Sequence, residues 1–174
     1  MQTIIVTGGA GYIGSHTLIE LLNKTNFRIV SVDNYSNSSA DTYDRVRKIC
    51  QRDFETLEFD LCDAATLDKK LSAIGNIAAI IHFAAFKSVP DSMADPLLYY
   101  NNNLQSLNNL LAFCKKQRIA NFIFSSSCSV YGNADQLPVT EETELKQAES
   151  AYGHTKQVGE EIIRFFSKAE PWFR

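Results

Sequence analysis

The chain has 174 residues, 45% of them hydrophobic, and a net charge of −3 from 17 basic and 20 acidic side chains. This length suits one globular domain with a substantial core. The charge balance offers no basic surface for nucleic acid, and no apolar run is long enough to cross a bilayer, so we expect neither partner. Without a visible signal peptide ahead of the first predicted strand, we expect a cytoplasmic protein.

A glycine-rich loop follows the first predicted strand. The strand is the apolar run 4–6, and helical spacing of apolar residues begins at Tyr12 and continues to Leu22. Between them, Gly8 permits a tight turn, Gly11 lets the backbone approach a pyrophosphate, and Gly14 allows close packing of helix on strand. The helix N-terminus favours phosphate. This context favours a dinucleotide site over a generic strand-to-helix turn.

The second predicted strand, 28–32, ends at an acidic residue. Asp33 lies about twenty residues after the glycine loop, where a carboxylate accepts the 2′-hydroxyl of an adenosine ribose. Its charge would repel a 2′-phosphate, so NAD is favoured over NADP. The alternative is an aspartate that only begins a turn, but together with the loop the binding role is the better interpretation.

Strands and helices are predicted to alternate along the rest of the chain. The predicted elements are a helix at 41–51, a strand at 56–59, a helix at 64–73 capped by Asp63, a strand at 78–83, a helix at 96–116, a strand at 121–126 and a helix at 151–168. Loops are expected between Pro90 and Pro96 and around Pro138. This β-α-β repetition predicts an α/β fold with a doubly wound parallel sheet.

Candidate chemistry follows the fifth predicted strand. A serine-rich run, 125–129, lies at the end of a parallel strand, where α/β sheets hold ligands. Tyr152 and Lys156 are four apart and share a helix face. A tyrosine is a weak base at its ordinary pKa of about 10, and a neighbouring ammonium favours the phenolate. With a serine hydroxyl, this set could oxidise a secondary alcohol; the alternative is a solvated helix face.

The remaining reactive side chains predict no further site. The four cysteines, at 50, 62, 114 and 128, are scattered, which is typical of reduced thiols in a cytosolic protein. The histidines at 16, 82 and 154 do not pair with cysteines or carboxylates at ligand spacing. We therefore predict no metal site.

Several motifs together resemble the N-terminal part of the UDP-glucose 4-epimerase family, which are extended short-chain dehydrogenases/reductases. The motifs are TGGAGYIGSH, DNYSNS, the pair Asp60-Leu61, HFAAFKSV, DPLLYYNNN, NFIFSSSCSVYG and SAYGHTK. The resemblance covers essentially the whole chain and implies a Rossmann fold. It also implies that Ser127, Tyr152 and Lys156 are catalytic.

The resemblance further implies an NAD site. Its residues would be Gly8, Gly11, Tyr12, Ile13, Gly14, Asp33, Asn34, Tyr35, Ser36, Asn37, Ser38, Asp60, Leu61, Phe83, Ala84, Ala85, Phe86, Lys87, Asn102, Tyr152 and Lys156. Departures from the family pattern are Ala85 for a glycine, Cys128-Ser129 for Ala-Thr, and Ala151 and His154 for a proline and a lysine. None removes a catalytic group.

The family mechanism would make Tyr152 the base. Tyr152 would take the proton of the sugar 4-hydroxyl while hydride passes from C4 to tightly held NAD. The 4-keto sugar would turn over and receive the hydride on its other face. UDP-galactose and UDP-glucose would thus interconvert.

Family members continue beyond the length of this chain. They have a sixth strand and a small C-terminal domain that grips the nucleotide-sugar. We therefore expect residues 1–174 to form an NAD-binding Rossmann domain that carries the catalytic residues, stops after about five strands and lacks the substrate domain. Such a chain would be a poor epimerase by itself.

The sequence is also compatible with three other functions, and it predicts an oligomer. A non-catalytic NAD-binding module, an epimerase of another nucleotide-sugar and a 4,6-dehydratase are the alternatives. A dehydratase needs a carboxylate just after strand five, and Ser127-Cys128-Ser129 has none. We also expect self-association, most simply a dimer, because strand 121–126 would be an unprotected sheet edge with apolar residues 171–173 beside it.

Overall fold

The computed structural model describes residues 1–174 and contains five strands and six α-helices. The strands are β1 (Thr3–Thr7), β2 (Arg28–Asp33), β3 (Glu55–Glu58), β4 (Ile77–His82) and β5 (Asn121–Phe124). The helices are α1 (Tyr12–Lys24), α2 (Asp41–Cys50), α3 (Ala64–Ser72), α4 (Val89–Ala94), α5 (Pro96–Gln117) and α6 (Ala151–Ala169). A 3₁₀ helix at Cys128–Tyr131 follows β5.

All five strands are parallel and lie in the order β3-β2-β1-β4-β5. This confirms the predicted doubly wound α/β sheet of the Rossmann type. All five residues of the central strand β1 are buried. Its side chains alternate between two cores: Ile4 and Val6 pack with α1 and α2, and Ile5 packs with α3, α5 and α6. Helices therefore cover both faces, which explains the continuous apolar runs.

The sequence predicted the start of α3 correctly but did not predict α4. Asp63 caps α3, as predicted, by accepting hydrogen bonds from the amides of Ala65 and Thr66. The prediction of a loop between Pro90 and Pro96 is wrong, because most of this segment belongs to α4 (Val89–Ala94). Pro90 lies in the first turn of α4, where a missing N–H costs nothing.

The outer edge of β5 is partly covered by the C-terminal residues. The Phe122 amide donates to the Arg174 carbonyl at 2.9 Å, and the Arg174 amide donates to Ala120 at 2.7 Å. Phe173 is buried between Phe122 and Phe166. The expectation of an unpaired edge is therefore wrong at Phe122, and Phe173 belongs to the core instead of an exposed apolar surface.

Candidate active site

A cavity of about 680 Å³ opens at the carboxyl ends of the parallel strands. Because these ends share one edge of the sheet, the segments after all five strands reach it. The predicted site residues that line it are Gly8, Gly11, Tyr12, Ile13, Gly14, Asp33, Asn34, Ser36, Asn37, Asp60, Leu61, Phe83, Ala84, Ala85, Phe86, Lys87, Asn102, Ser127, Tyr152 and Lys156. Tyr35 and Ser38 do not line it.

Around the loop after β1, packing is so close that two glycine positions have no room for a Cβ. Gly8 has a φ of +72°, and a Cβ there would lie 2.6 Å from the Ala84 nitrogen of the neighbouring loop. A Cβ on Gly14 would lie 2.2 Å from the Gly8 carbonyl oxygen. Gly8 therefore makes the turn and Gly14 sets the distance between helix and loop, as the spacing predicts.

Gly11 has a different role from its neighbours. It is the N-cap of α1 and supplies no side-chain hydrogen bond to the helix. The first amides of a helix have no partner inside the helix, so those after Gly11 face the cavity unpaired by a cap. Gly9, which sequence reasoning passed over, is also required by packing, since a Cβ there would lie 1.9 Å from Ser31 Oγ.

The Asp33 carboxylate is buried and held by three donors from the chain. Oδ2 accepts from the Ala10 amide at 2.9 Å, and Oδ1 accepts from the Tyr35 amide at 3.0 Å and from Ser38 Oγ at 2.9 Å. Tyr35 and Ser38 therefore orient Asp33 from outside the cavity. Each carboxylate oxygen accepts about two hydrogen bonds, so Oδ2 retains room for one more donor.

At the opposite end of the cavity, Lys156 is almost fully buried. Its Nζ donates to the Ser125 carbonyl at 2.7 Å. Burial lowers the pKa of Lys156 to about 8, and the Glu160 carboxylate one turn later opposes that shift. Since β5 ends at Phe124, two residues earlier than predicted, the Ser125 carbonyl is free to accept this bond.

Ser127 and Tyr152 complete this end. Ser127 Oγ accepts hydrogen bonds from the Ser129 amide at 3.2 Å and from Ser129 Oγ at 2.9 Å. Its own proton therefore remains available to a ligand. Tyr152 lies one helical turn before Lys156 on α6, which begins with Ser150 capping the Gly153 amide.

A buried asparagine joins the loop after β4 to α6. Asn103 accepts from the Phe86 amide at 2.9 Å and donates to the Phe86 carbonyl at 3.0 Å and to Thr155 Oγ1 at 3.1 Å. Sequence reasoning chose its neighbour Asn102 and missed Asn103. It also missed the bond from Ser126 Oγ to Glu160 and these further lining residues: Val32, Phe59 and Ser106. Ser125 and Ser126, which belong to the predicted serine-rich run, line the cavity as well.

The chain offers neither a metal cluster nor a membrane-crossing helix. No group of three His, Cys, Asp or Glu side chains is placed to hold a metal ion. None of the helices combines the length and apolarity that crossing a membrane requires.

The family follows from comparison with known proteins. A model of the NAD dependent epimerase/dehydratase family matches residues 4–172. The chain belongs to this family. Among curated members, it is 45% identical over 169 residues to UDP-glucose 4-epimerase of Bacillus subtilis, covering 97% of this chain and 49% of that protein. It is 43% identical over 172 residues to the Haemophilus influenzae enzyme of the same name, covering 99% and 50%.

Solved structures of this epimerase/dehydratase family show the same fold. UDP-glucose 4-epimerase from Bifidobacterium longum, in complex with NAD⁺ and UDP, superposes with a TM-score of 0.95 at 42% identity. That alignment covers 99% of this chain and 51% of the other. The chain therefore spans about half the length of the relatives it matches.

Proposed function

We propose that this chain is the NAD-binding, catalytic part of a UDP-glucose 4-epimerase. The observation that carries the proposal is that Ser127, Tyr152 and Lys156 line the same cavity as the glycine loop and Asp33. The names of the relatives support the substrate, UDP-galactose or UDP-glucose.

The residues present fit NAD. The glycine loop leaves a backbone cradle at the start of α1, where unpaired amides and the helix dipole favour a pyrophosphate. Asp33 Oδ2 keeps one acceptor position, which suits a ribose hydroxyl and disfavours a 2′-phosphate. Residues 8–14 and Asp33 would therefore hold the adenosine diphosphate half, and Tyr152 and Lys156 the nicotinamide half.

The chain's own groups would move the proton. When bound, NAD supplies a reversible hydride acceptor for C4 of the sugar. Tyr152 would take the proton of the 4-hydroxyl and later return it. Ser127 would donate a hydrogen bond from its hydroxyl to the same oxygen, and the Lys156 ammonium would favour the Tyr152 phenolate.

The second candidate is an NAD-binding module without turnover. An enzyme uses binding energy from remote parts of its substrate to orient the reacting atoms. The chain spans half of its relatives, so we propose that residues 1–174 alone turn over UDP-galactose poorly. The dehydratase alternative is disfavoured because no carboxylate occupies positions 127–129.

Turnover of UDP-galactose by two proteins separates these candidates. One is the 174-residue chain, and the other is a length-completed protein in which the C-terminal half of the Bacillus subtilis relative follows Arg174. We expect substantial epimerisation only by the length-completed protein, and NAD binding by both in calorimetry. Turnover by neither protein despite bound NAD would favour the module, and failure to bind NAD would contradict both candidates.

We also propose self-association and a cytoplasmic location. Ile123 on β5 is 56% exposed, beyond the part of the edge that Arg174 covers, and offers an apolar contact. Light scattering at micromolar concentration should show a dimer that the variant Ile123→Lys converts to a monomer. A monomeric unaltered chain would contradict this.

The four free cysteines support the proposed cytoplasmic location.

A further inference from the structure

The ammonium of Lys156 is buried with few partners. The side chain is 4% exposed, and the Ser125 carbonyl is its hydrogen-bond acceptor. An ammonium has three donors, and removing it from water without compensation is costly. The Phe124 ring supplies a second contact, because its centroid lies 4.6 Å from Nζ, within the range of a cation–π interaction.

The Phe124 ring is held in place from two sides. On the α6 side it fills the space left by Gly159, where a Cβ would lie 2.8 Å from Phe124 Cζ. On the sheet side it stacks on His82 at 6.0 Å between ring centroids. A glycine inside a helix costs about 1 kcal/mol relative to alanine, so Gly159 requires a packing reason. Room for this ring is that reason.

We infer that Phe124 is a positioning residue for Lys156: its ring, seated in the gap at Gly159, stabilises and orients the ammonium where water is scarce. The inference rests on the proposed function for its catalytic meaning. Its physical content, a ring that supports the charge, concerns the chain alone.

The ionisable groups around Lys156 are few. On α6, Tyr152 and Glu160 lie one turn before and one turn after it. On β4, His82 has its pKa lowered to about 3, first by burial and then by the charge of Lys156. His82 is therefore neutral, and its Nδ1 lies 2.7 Å from Thr7 Oγ1. From α5, Ser106 lines the cavity without a charge.

Titration of Lys156 in the 174-residue chain tests the inference without turnover. Lysine labelled with ¹³C at Cε gives one resonance per residue, and Lys156→Arg identifies the one of interest. In Phe124→Leu, which keeps the apolar volume but loses the ring, we expect the midpoint to fall by about one pH unit, the size of a desolvated cation–π contact. Gly159→Ala, which displaces the ring, should lower it in the same direction.

The matched control is Phe122→Leu. Phe122 is on the same strand and also packs on His82, with ring centroids 6.1 Å apart, but it makes no cation–π contact with Lys156. We expect its midpoint to equal that of the unaltered chain. An unchanged or raised midpoint in Phe124→Leu, or an equal fall in Phe122→Leu, would overturn the inference. Failure of the proposed reaction would appear instead as unaffected turnover in Tyr152→Phe.

Discussion

The two ends of the cavity are built in different ways. At the glycine-loop end the backbone forms the surface, and Gly8 and Gly14 have no room for a Cβ. At the other end, Ser127, Tyr152 and Lys156 present side chains whose polar atoms are held by one or two bonds or by none. A side chain added at the first end would therefore disturb the packing of the fold, whereas the polar atoms at the second end can be changed with the loss of few hydrogen bonds.

The largest effect should come from filling the glycine-loop end. Gly14→Ala places a Cβ 2.2 Å from the Gly8 carbonyl, and we expect loss of NAD binding together with destabilisation of about 3 kcal/mol. Thermal unfolding and calorimetry measure both. The control is Gly75→Ala, because a Cβ at Gly75 meets nothing within 4 Å. If the two variants behave alike, the packing role of Gly14 is wrong.

At the other end of the cavity, a substitution should abolish catalysis while NAD still binds. In the length-completed protein, Tyr152→Phe should reduce turnover of UDP-galactose by about 10²- to 10⁴-fold, the usual contribution of a general base, while NAD stays bound through the glycine loop and Asp33. Tyr100→Phe is the control, since its hydroxyl bonds His154 outside the cavity. Near-normal turnover by Tyr152→Phe would remove Tyr152 from the mechanism.

A smaller effect is expected on the free energy of unfolding, when the buried charge of Lys156 is removed. Its pKa of about 8 in the folded chain is below the ordinary value of 10.5, so burial disfavours the charged form. Lys156→Met should therefore stabilise the chain below pH 8 by up to ~3 kcal/mol. Between pH 8 and 10.5 Lys156 is protonated in the unfolded chain but neutral in the folded chain. The unaltered chain therefore becomes more stable as the pH rises through this range, and the stability advantage of Lys156→Met shrinks.

Denaturant unfolding of both proteins from pH 7 to 10.5 measures that difference. Arg45→Met, which removes a surface cation, should show no such pH dependence. A Lys156→Met variant that is less stable than the unaltered chain at pH 7 would mean that its hydrogen bond and ring contact outweigh desolvation.

The smallest effect should come from substitution of Asp33, whose side chain lies at the glycine-loop end of the cavity. Asp33→Asn keeps the shape but loses the charge and turns one acceptor into a donor facing chain amides. We expect NAD affinity to fall about tenfold, roughly one charge-assisted hydrogen bond, and discrimination against NADP to fall with it. Asp63→Asn, which still caps α3, is the control. Unchanged discrimination in calorimetry would contradict the role of Asp33.

Local patterns in the sequence predicted most of the fold. Repeated β-α-β units fix a parallel sheet, and the capping role of Asp63 depends only on residues next to it. The errors arose where local rules conflict with distant contacts. Pro90 suggested a loop but suits the first turn of α4. Residues 171–173 were expected to add apolar surface beside an unpaired β5, but Phe173 is buried in the core and Arg174 pairs with the β5 edge.

The residues of the candidate site likewise fall into those predictable from nearby sequence and those that depend on distant contacts. The glycine spacing and the i,i+4 pair of Tyr152 and Lys156 are visible in the sequence because each set lies within one short stretch of the chain. Asn103 and Phe124 are not, since their partners are far away in sequence. In a run of three asparagines, only the direction in which α5 faces the loop after β4 shows that Asn103 is the buried one.

The bridge made by Asn103 couples two segments that a ligand would touch. Its side-chain amide is shared by Phe86, in the loop after β4, and Thr155, in the first turns of α6. The loop therefore cannot open without releasing a contact of the helix that carries Tyr152. We therefore expect the two segments to open together, which hydrogen exchange at the Phe86 amide, compared with that of the first turns of α6, would measure.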